Sequence, residues 1–256
     1  MMQYPKIAIP PRSEHLWRYT PWKRIHPTKV EEMPDSDPVK FSLGNDSSMA
    51  DSDEIARSFI HSVSKVCKSI ELDDENLVLD LRCSGHISAG ELNVKSKGNS
   101  SLVIRVSGDA GWTGIRINGE VEGNLSVAFV NDLAADGHLL RCEDWSVGRD
   151  SLLEFATLSV GGFLNKSDLR MDLRQKGSDV RCGVASKGYR SRHDDHHIEI
   201  QHSVGHTDSS LVMHAACGGS SHSVGTGLLT ICEGADGSDA GQVFRNLLLS
   251  EKARAE

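Results

Sequence analysis

Histidine is concentrated where it could do chemistry. Seven of the twelve histidines fall between His193 and His222, and five of those lie in RHDDHHIEIQHSVGHT, residues 192–207. Imidazoles at this density can ligate a transition metal, move protons, or decorate a strand. In an extended backbone the stretch places His196, Ile198, Ile200, His202, Val204 and His206 on one face, and Asp195, His197, Glu199 and Gln201 on the other. At about 3.3 Å per residue, His202 and His206 stand about 13 Å apart, so one strand cannot chelate one ion. Stacked strands lift that restriction, because neighbours lie about 4.8 Å apart. A local repeat of 26 positions would set His196 over His222 and His206 over Cys232. The candidate metal ligands are therefore His196, His202, His206, His222 and Cys232, able to hold a metal or a persulfide; the alternative is a set of polar ladder or partner-facing groups.

Other chemistry is sparse. The six cysteines (Cys67, Cys83, Cys142, Cys182, Cys217, Cys232) include no C-x-x-C pair, which removes the usual zinc-knuckle and thioredoxin patterns and leaves small buried hydrophobes kept reduced. Neither a G-x-S-x-G elbow nor a Walker-type G-x-x-x-x-G-K-[ST] loop is present, so ATP hydrolysis must belong to a partner. The RHDD tetrad could supply a general acid and base, but such groupings are common in polar turns. The chain is expected not to be an enzyme.

The elements that must position these residues change character along the chain. All seven prolines occur in the first 38 positions, which marks residues 1–50 as an irregular leader. Within it SEHLWRYT offers one helical turn capped by Ser13 and anchored by Leu16, Trp17 and Tyr19. Ile55, Phe59, Val63 and Val66 recur at helical spacing, predicting an amphipathic helix over about 51–69. Beyond residue 77 come short alternating runs such as LVLDLRC, SLVIRV and HHIEIQHS, separated by Gly, Ser, Asn and Asp. Runs begin at 77, 101, 124, 151, 179 and 209, with a second family near 91, 115, 138, 168, 196 and 222. Two strands per coil, repeated, describe a parallel β-helix. A hairpin sandwich stays open on this ground, through Asn118-Gly119, Asp136-Gly137 and Asp236-Gly237.

Composition narrows the function classes. A net charge of −8 without a long Lys/Arg run opposes nucleic-acid binding. No signal-peptide pattern and no run of about 18 apolar residues occurs, so neither export nor a membrane helix is expected, and a cytoplasmic protein is. With 5% aromatics, the chain lacks the groove that carbohydrate-active solenoids use.

The last third carries a resemblance. Asp194 or Asp195, His197, His202, His206, Thr207 and Ser209, followed by Gln242, Arg245, Asn246, Leu247, Leu248, Leu249, Ser250 and Ala253, resemble the D-x-H…H-x-x-x-H-T-x-S and Q-x-x-R-N-L-L-L-S-x-x-A motifs of the SufB/SufD proteins of iron–sulfur cluster assembly. SEHLWRYT is similar to that family's E-x-W-R-Y-T opening, and SDLRMDLRQKGSDVR to the coil one turn earlier. The resemblance implies an all-β, right-handed parallel β-helix over 76–256 behind a leader at 1–75. It also implies a complex of SufB, SufD and the ATPase SufC. His197, Thr207, Arg245 and Asn246 are the family-motif residues carried over.

Family members continue with a P-x-L-E-I segment, a C-S-H-G motif and a C-terminal helical portion, which carry cluster ligands and the ATPase docking surface. This sequence ends before them at Glu256. It is thus expected to be a shortened SufD-like relative or a fragment of a longer frame, with no residues for a SufC-like partner. The expected role is a scaffold that pairs its open edge with a SufB-like subunit or with itself, sharing at most a transient iron–sulfur cluster. The alternative is a stand-alone metal-binding β-helix using the His193 to His222 cluster. RNLLLS is expected to be a core strand or edge, with burial of its leucines rather than ligation as its purpose.

Overall fold

The computed structural model describes residues 4–256. Because no proline follows Pro38, every backbone N–H beyond it is free to enter a ladder, and strands occupy most of the chain from Cys67 onward. Three two-residue strands, β1 (Asp37–Pro38), β2 (Lys40–Phe41) and β3 (Asn45–Asp46), lead into the repeat. The chain then alternates between two sheets through β4 (Cys67–Asp73), β5 (Asn76–Cys83), β6 (Ile87–Lys97), β7 (Asn99–Gly108), β8 (Trp112–Val121), β9 (Asn124–Leu133), β10 (His138–Val147) and β11 (Leu152–Ser159). It continues through β12 (Leu164–Leu173), β13 (Asp179–Gly188), β14 (His193–His202), β15 (Asp208–Cys217), β16 (His222–Ile231), β17 (Asp239–Leu248) and β18 (Arg254–Ala255). Even-numbered strands from β4 form one sheet and odd-numbered strands from β5 the other, each pairing in parallel with the strand one coil away. The fold is therefore a stacked parallel solenoid. The Asn-Gly and Asp-Gly pairs do not make a hairpin sandwich: among the described residues antiparallel pairing is confined to β2 with β5 and β3 with β4.

Alternation sets the interior. Leu79, Ile104, Phe129, Ile117, Trp145 and Ile200 point between the sheets and are fully or almost fully buried. Coil length is not constant, because the corner from the even to the odd sheet grows from residue 98 alone to residues 232–238. The coil joining β8 to β10 repeats at 26 positions (Trp112 to His138), whereas the coil joining β14 to β16 repeats at 29 (His193 to His222).

A second core lies outside the even sheet. Leader residues Tyr4, Trp17, Trp22 and Ile25, with Phe59 of the helix below, pack over Trp112, Leu140 and Leu164. The indole Nε1 of Trp112 donates to the Ile25 carbonyl at 2.8 Å. SEHLWRYT contributes a single 3-10 turn, His15–Trp17, with Trp17 buried as its anchor; no side chain caps it. Helix α1 (Trp22–Ile25) follows, and α2 (Ile55–Val63) fulfils the amphipathic expectation over a shorter span. Ser64 turns extended and the residues from Cys67, with Ile70 and Leu72 alternating inward, join the first coil, so neither the helix end at 69 nor the core boundary at 76 holds.

Arg57 of α2, only 3% exposed, clamps the leader to the sheet through Asp168 and Asp144, the latter at 2.7 and 2.9 Å. Burial works against the Asp168 carboxylate, yet Arg57 and Arg170 outweigh it and hold its pKa below the ordinary range.

The two ends of the solenoid differ. At the N-terminal end β2 and β3 close the first coil, and a Cβ on Gly90 would press on Val39 and Phe41, which lie across it. At the other end β17 pairs only with β15 among the described residues and is exposed at almost every position.

Candidate functional site

Strand β14 carries the histidine cluster and obeys the expected parity. Its outer row, however, is also buried where the leader covers it: His193, Asp195 and His197 are each 2–3% exposed. His193 Nε2 meets Thr20 Oγ1 at 2.9 Å, Lys166 Nζ lies 3.1 Å from Asp195, and His197 Nε2 meets Glu199 at 2.7 Å. Burial pushes the His193 pKa down to about 4, with the positive charge of Arg24 acting in the same direction. His197 is thus tied to the leader side of the sheet.

The inner row of β14 faces a polar interior. His196 Nδ1 shares a hydrogen bond with Ser167 Oγ at 2.7 Å, while its Nε2 has no partner. Burial lowers the His196 pKa to about 4 despite the nearby Asp194 carboxylate, so the ring is neutral at physiological pH. Asp194 accepts from Arg192 Nε at 2.6 Å, Ser159 Oγ at 3.0 Å and Asn165 Nδ2 at 3.1 Å. Further down the bore, Arg141 pairs with Glu143, which also accepts from Trp145 Nε1 at 2.6 Å. The Arg141 guanidinium lies 3.5 Å from the Phe129 ring centroid, and its Nη2 is unpartnered. Ladder register places Arg141, Ser167, His196 and Gly225 in one inward row across four successive coils.

The expected metal pairings do not form. With 29 positions per coil, His196 stacks on Gly225, and it is His193 that meets His222. Cys232 donates its amide to the His202 carbonyl rather than lying beside His206, whose own amide bonds Asp236. His202 is fully buried with both ring nitrogens engaged at 2.7 Å, Nδ1 by Thr207 Oγ1 and Nε2 by Ser209 Oγ. Thr207 also meets Ser238 Oγ at 2.9 Å, so this family-motif threonine ties one coil to the next. His206 is exposed in a left-handed turn at φ 58°. His222 meets Glu256 at 3.1 Å. Among the described residues no three His, Cys, Asp or Glu gather closely enough to hold an ion.

Three buried thiols are quiet as well. Burial raises the pKa of Cys142 and of Cys182 to about 12, and that of Cys83 to about 11. Cys182 nevertheless sits beside the Arg141–Glu143 pair.

RNLLLS does not bury its leucines. Leu247, Leu248 and Leu249 are 54–59% exposed on the outermost coil, together with Leu228, Ile231, Val243 and Phe244. These positions lack a further rung among the described residues to pack against. Arg245, in register with His214, points to the outer face of the odd sheet by alternation, and Asn246, in register with Ala215, to the inner.

Sequence reasoning missed the Arg141–Glu143–Trp145 group and the Arg192–Asp194 pair. The available signal was charge at inward parity: Arg141 and Glu143 share parity with Leu139, Trp145 and Val147.

No helix among the described residues is long and apolar enough to cross a membrane. No curated protein matches the chain. Residues 95–256, more than half of the sequence, match the family described as SUF system FeS cluster assembly, SufBD core domain. The stacked parallel coils agree with the architecture that the motifs implied, and the chain belongs to the SufBD core family of the SUF iron–sulfur cluster assembly system.

Proposed function

We propose that this chain is a scaffold subunit of SUF-type cluster assembly that works by association rather than by its own catalysis. Its last coil joins the open edge of a SufB-like solenoid or of a second copy. The observation that carries this reading is the match of residues 95–256 to the SufBD core family, and the exposed apolar side chains of the last described coil support association as its means. One end is closed by β2, β3 and Phe41; the other presents β17 and seven exposed large apolar side chains from Leu228 to Leu249. An open strand edge with uncovered inward side chains such as Ile231, Phe244 and Leu248 favours strand addition, where main-chain bonds give affinity and side chains give register. Any cluster is cargo shared with the partner.

The metal-binding reading has one observation in its favour, the unpartnered Nε2 of His196. It would require His202 to give up both hydroxyl partners, and it gathers no second ligand around His196. The scaffold reading is the better supported.

Co-expression with a SufB-like partner tests it. Size-exclusion chromatography should show co-elution, and self-association when the chain is purified alone. Leu247→Glu with Leu249→Glu should abolish both while leaving the circular dichroism spectrum unchanged. A strictly monomeric protein that ignores the partner would overturn the reading.

A further inference from the structure

A groove of about 630 Å³ crosses the corner that leads from the odd sheet back to the even one, away from the last coil. Its floor is the turn at residues 160–163, where Gly161 and Gly162 leave no side chain; a Cβ on Gly161 would collide with the backbone of Leu133 on the coil below. The absence of side chains recesses this turn between its neighbours and opens the groove. Two rings rise from it. Phe163 is 39% exposed and stacks on His138 at 6.0 Å, and Tyr189 is 68% exposed.

One polar group serves the floor. Arg192 lines the groove yet is only 5% exposed. Its Nε and Nη2 bond Asp194 at 2.6 and 2.7 Å, and Nη2 also bonds Ser159 at 2.7 Å, which fixes the plane of the guanidinium. Among the described residues Nη1 makes no hydrogen bond, and the bonds to Asp194 and Ser159 hold its plane. It is a preorganised donor available to a ligand in the groove that Arg192 lines.

We propose that this groove binds a small planar carboxylate, its ring against Phe163 and Tyr189 and its carboxylate accepting a hydrogen bond from Arg192 Nη1. The volume lies within the range of small-molecule sites, about 300–1,000 Å³. Charge selects the anion. Asp194 already balances Arg192, and Lys187 and Arg190 at the rim are matched by Asp132 and Asp136. The local field is near neutral, so nothing offsets the larger desolvation cost of a phosphate dianion, whereas a monoanion costs less to desolvate and gains a charge-assisted hydrogen bond that a neutral amide does not. The site is independent of the scaffold reading, because no residue of β15 to β18 lines it.

Titrating the full chain with benzoate, benzamide and phenyl phosphate, followed by NMR and calorimetry, tests the proposal. Benzoate should bind saturably at one site with a Kd of about 1 mM, as befits so small a probe. Benzamide and phenyl phosphate should each bind about tenfold more weakly. Tyr189→Ala, a change on the exposed surface that leaves folding intact, should weaken benzoate about fivefold. Arg192→Lys should erase the preference for benzoate over benzamide. Leu247→Glu should change none of these values, which separates this test from that of the scaffold. Absence of saturable benzoate binding, preference for phenyl phosphate, or affinity unmoved by Tyr189→Ala would each overturn the proposal.

Discussion

His193 lies directly beneath His222 on the neighbouring coil, their ring centroids 5.0 Å apart and the planes at 69°. That contact marks the 29-position stacking register of the histidine-bearing coils, which decides which side chains can meet.

The register can be trapped covalently. Parallel neighbours lie about 4.8 Å apart, within the Cα separation that a disulfide tolerates. His193→Cys with His222→Cys should therefore crosslink on mild oxidation, and His196→Cys with His222→Cys should not. Non-reducing electrophoresis after peptide mapping reads the result, and the reverse pattern would restore the 26-position register.

Acid should loosen the interior. Burial holds the folded-state pKa of His196 near 4, below its ordinary 6.5, so the unfolded chain binds the proton first. Its contribution to stability is whole above about pH 6.5 and is lost as pH falls towards 4, by roughly 3 kcal/mol. Urea midpoints between these pH values should fall more steeply for the native protein than for His196→Gln, which lacks the titrating ring. Parallel curves would show that His196 is not the group responsible.

Removing the leader clamp should be costly. Arg57→Ala leaves the buried Asp168 with Arg170 as its remaining arginine partner, and a broken buried pair typically costs about 3–5 kcal/mol. Chemical denaturation measures the loss, and limited proteolysis should release the leader before the solenoid. A cost below about 1 kcal/mol would mean that the apolar contacts of Trp17, Trp22 and Phe59 hold the leader alone.

The two histidines of the H-x-x-x-H-T motif should separate in behaviour. His202→Ala strands the Ser209 hydroxyl, removes one of the partners of Thr207 and leaves a buried cavity, and should cost about 1–3 kcal/mol. His206→Ala, on the exposed turn, should stay within about 0.5 kcal/mol of the native protein. Metal analysis of anaerobically purified protein should be the same for both variants and the parent; a drop in bound metal in either would favour the ligand role.

Much of this architecture was legible. Alternation of apolar residues and the absence of proline after Pro38 state the ladder directly, and the parity of Ile198, Ile200 and His202 follows from the period of a strand. Coil length was not legible, because it is set at a corner whose insertions cost little closure entropy and leave no periodic mark. Taking 26 where the chain uses 29 brought the wrong histidines together. Docking of the leader was equally hidden: Thr20 against His193 and Arg57 against Asp168 join residues more than a hundred positions apart, and no local pattern encodes such a pair. Exposure of Leu247 to Leu249 was misread for a related reason, since hydrophobicity alone does not tell a buried strand from one awaiting a partner.

Hydrogen–deuterium exchange across β17, at a dilution that keeps the chain monomeric and with or without a SufB-like partner, is the decisive measurement. Amides of residues 239–248 should exchange fast in the monomer and become strongly protected on adding the partner, with the closed N-terminal end unchanged. Protection that arises elsewhere while β17 goes on exchanging freely would contradict the scaffold reading.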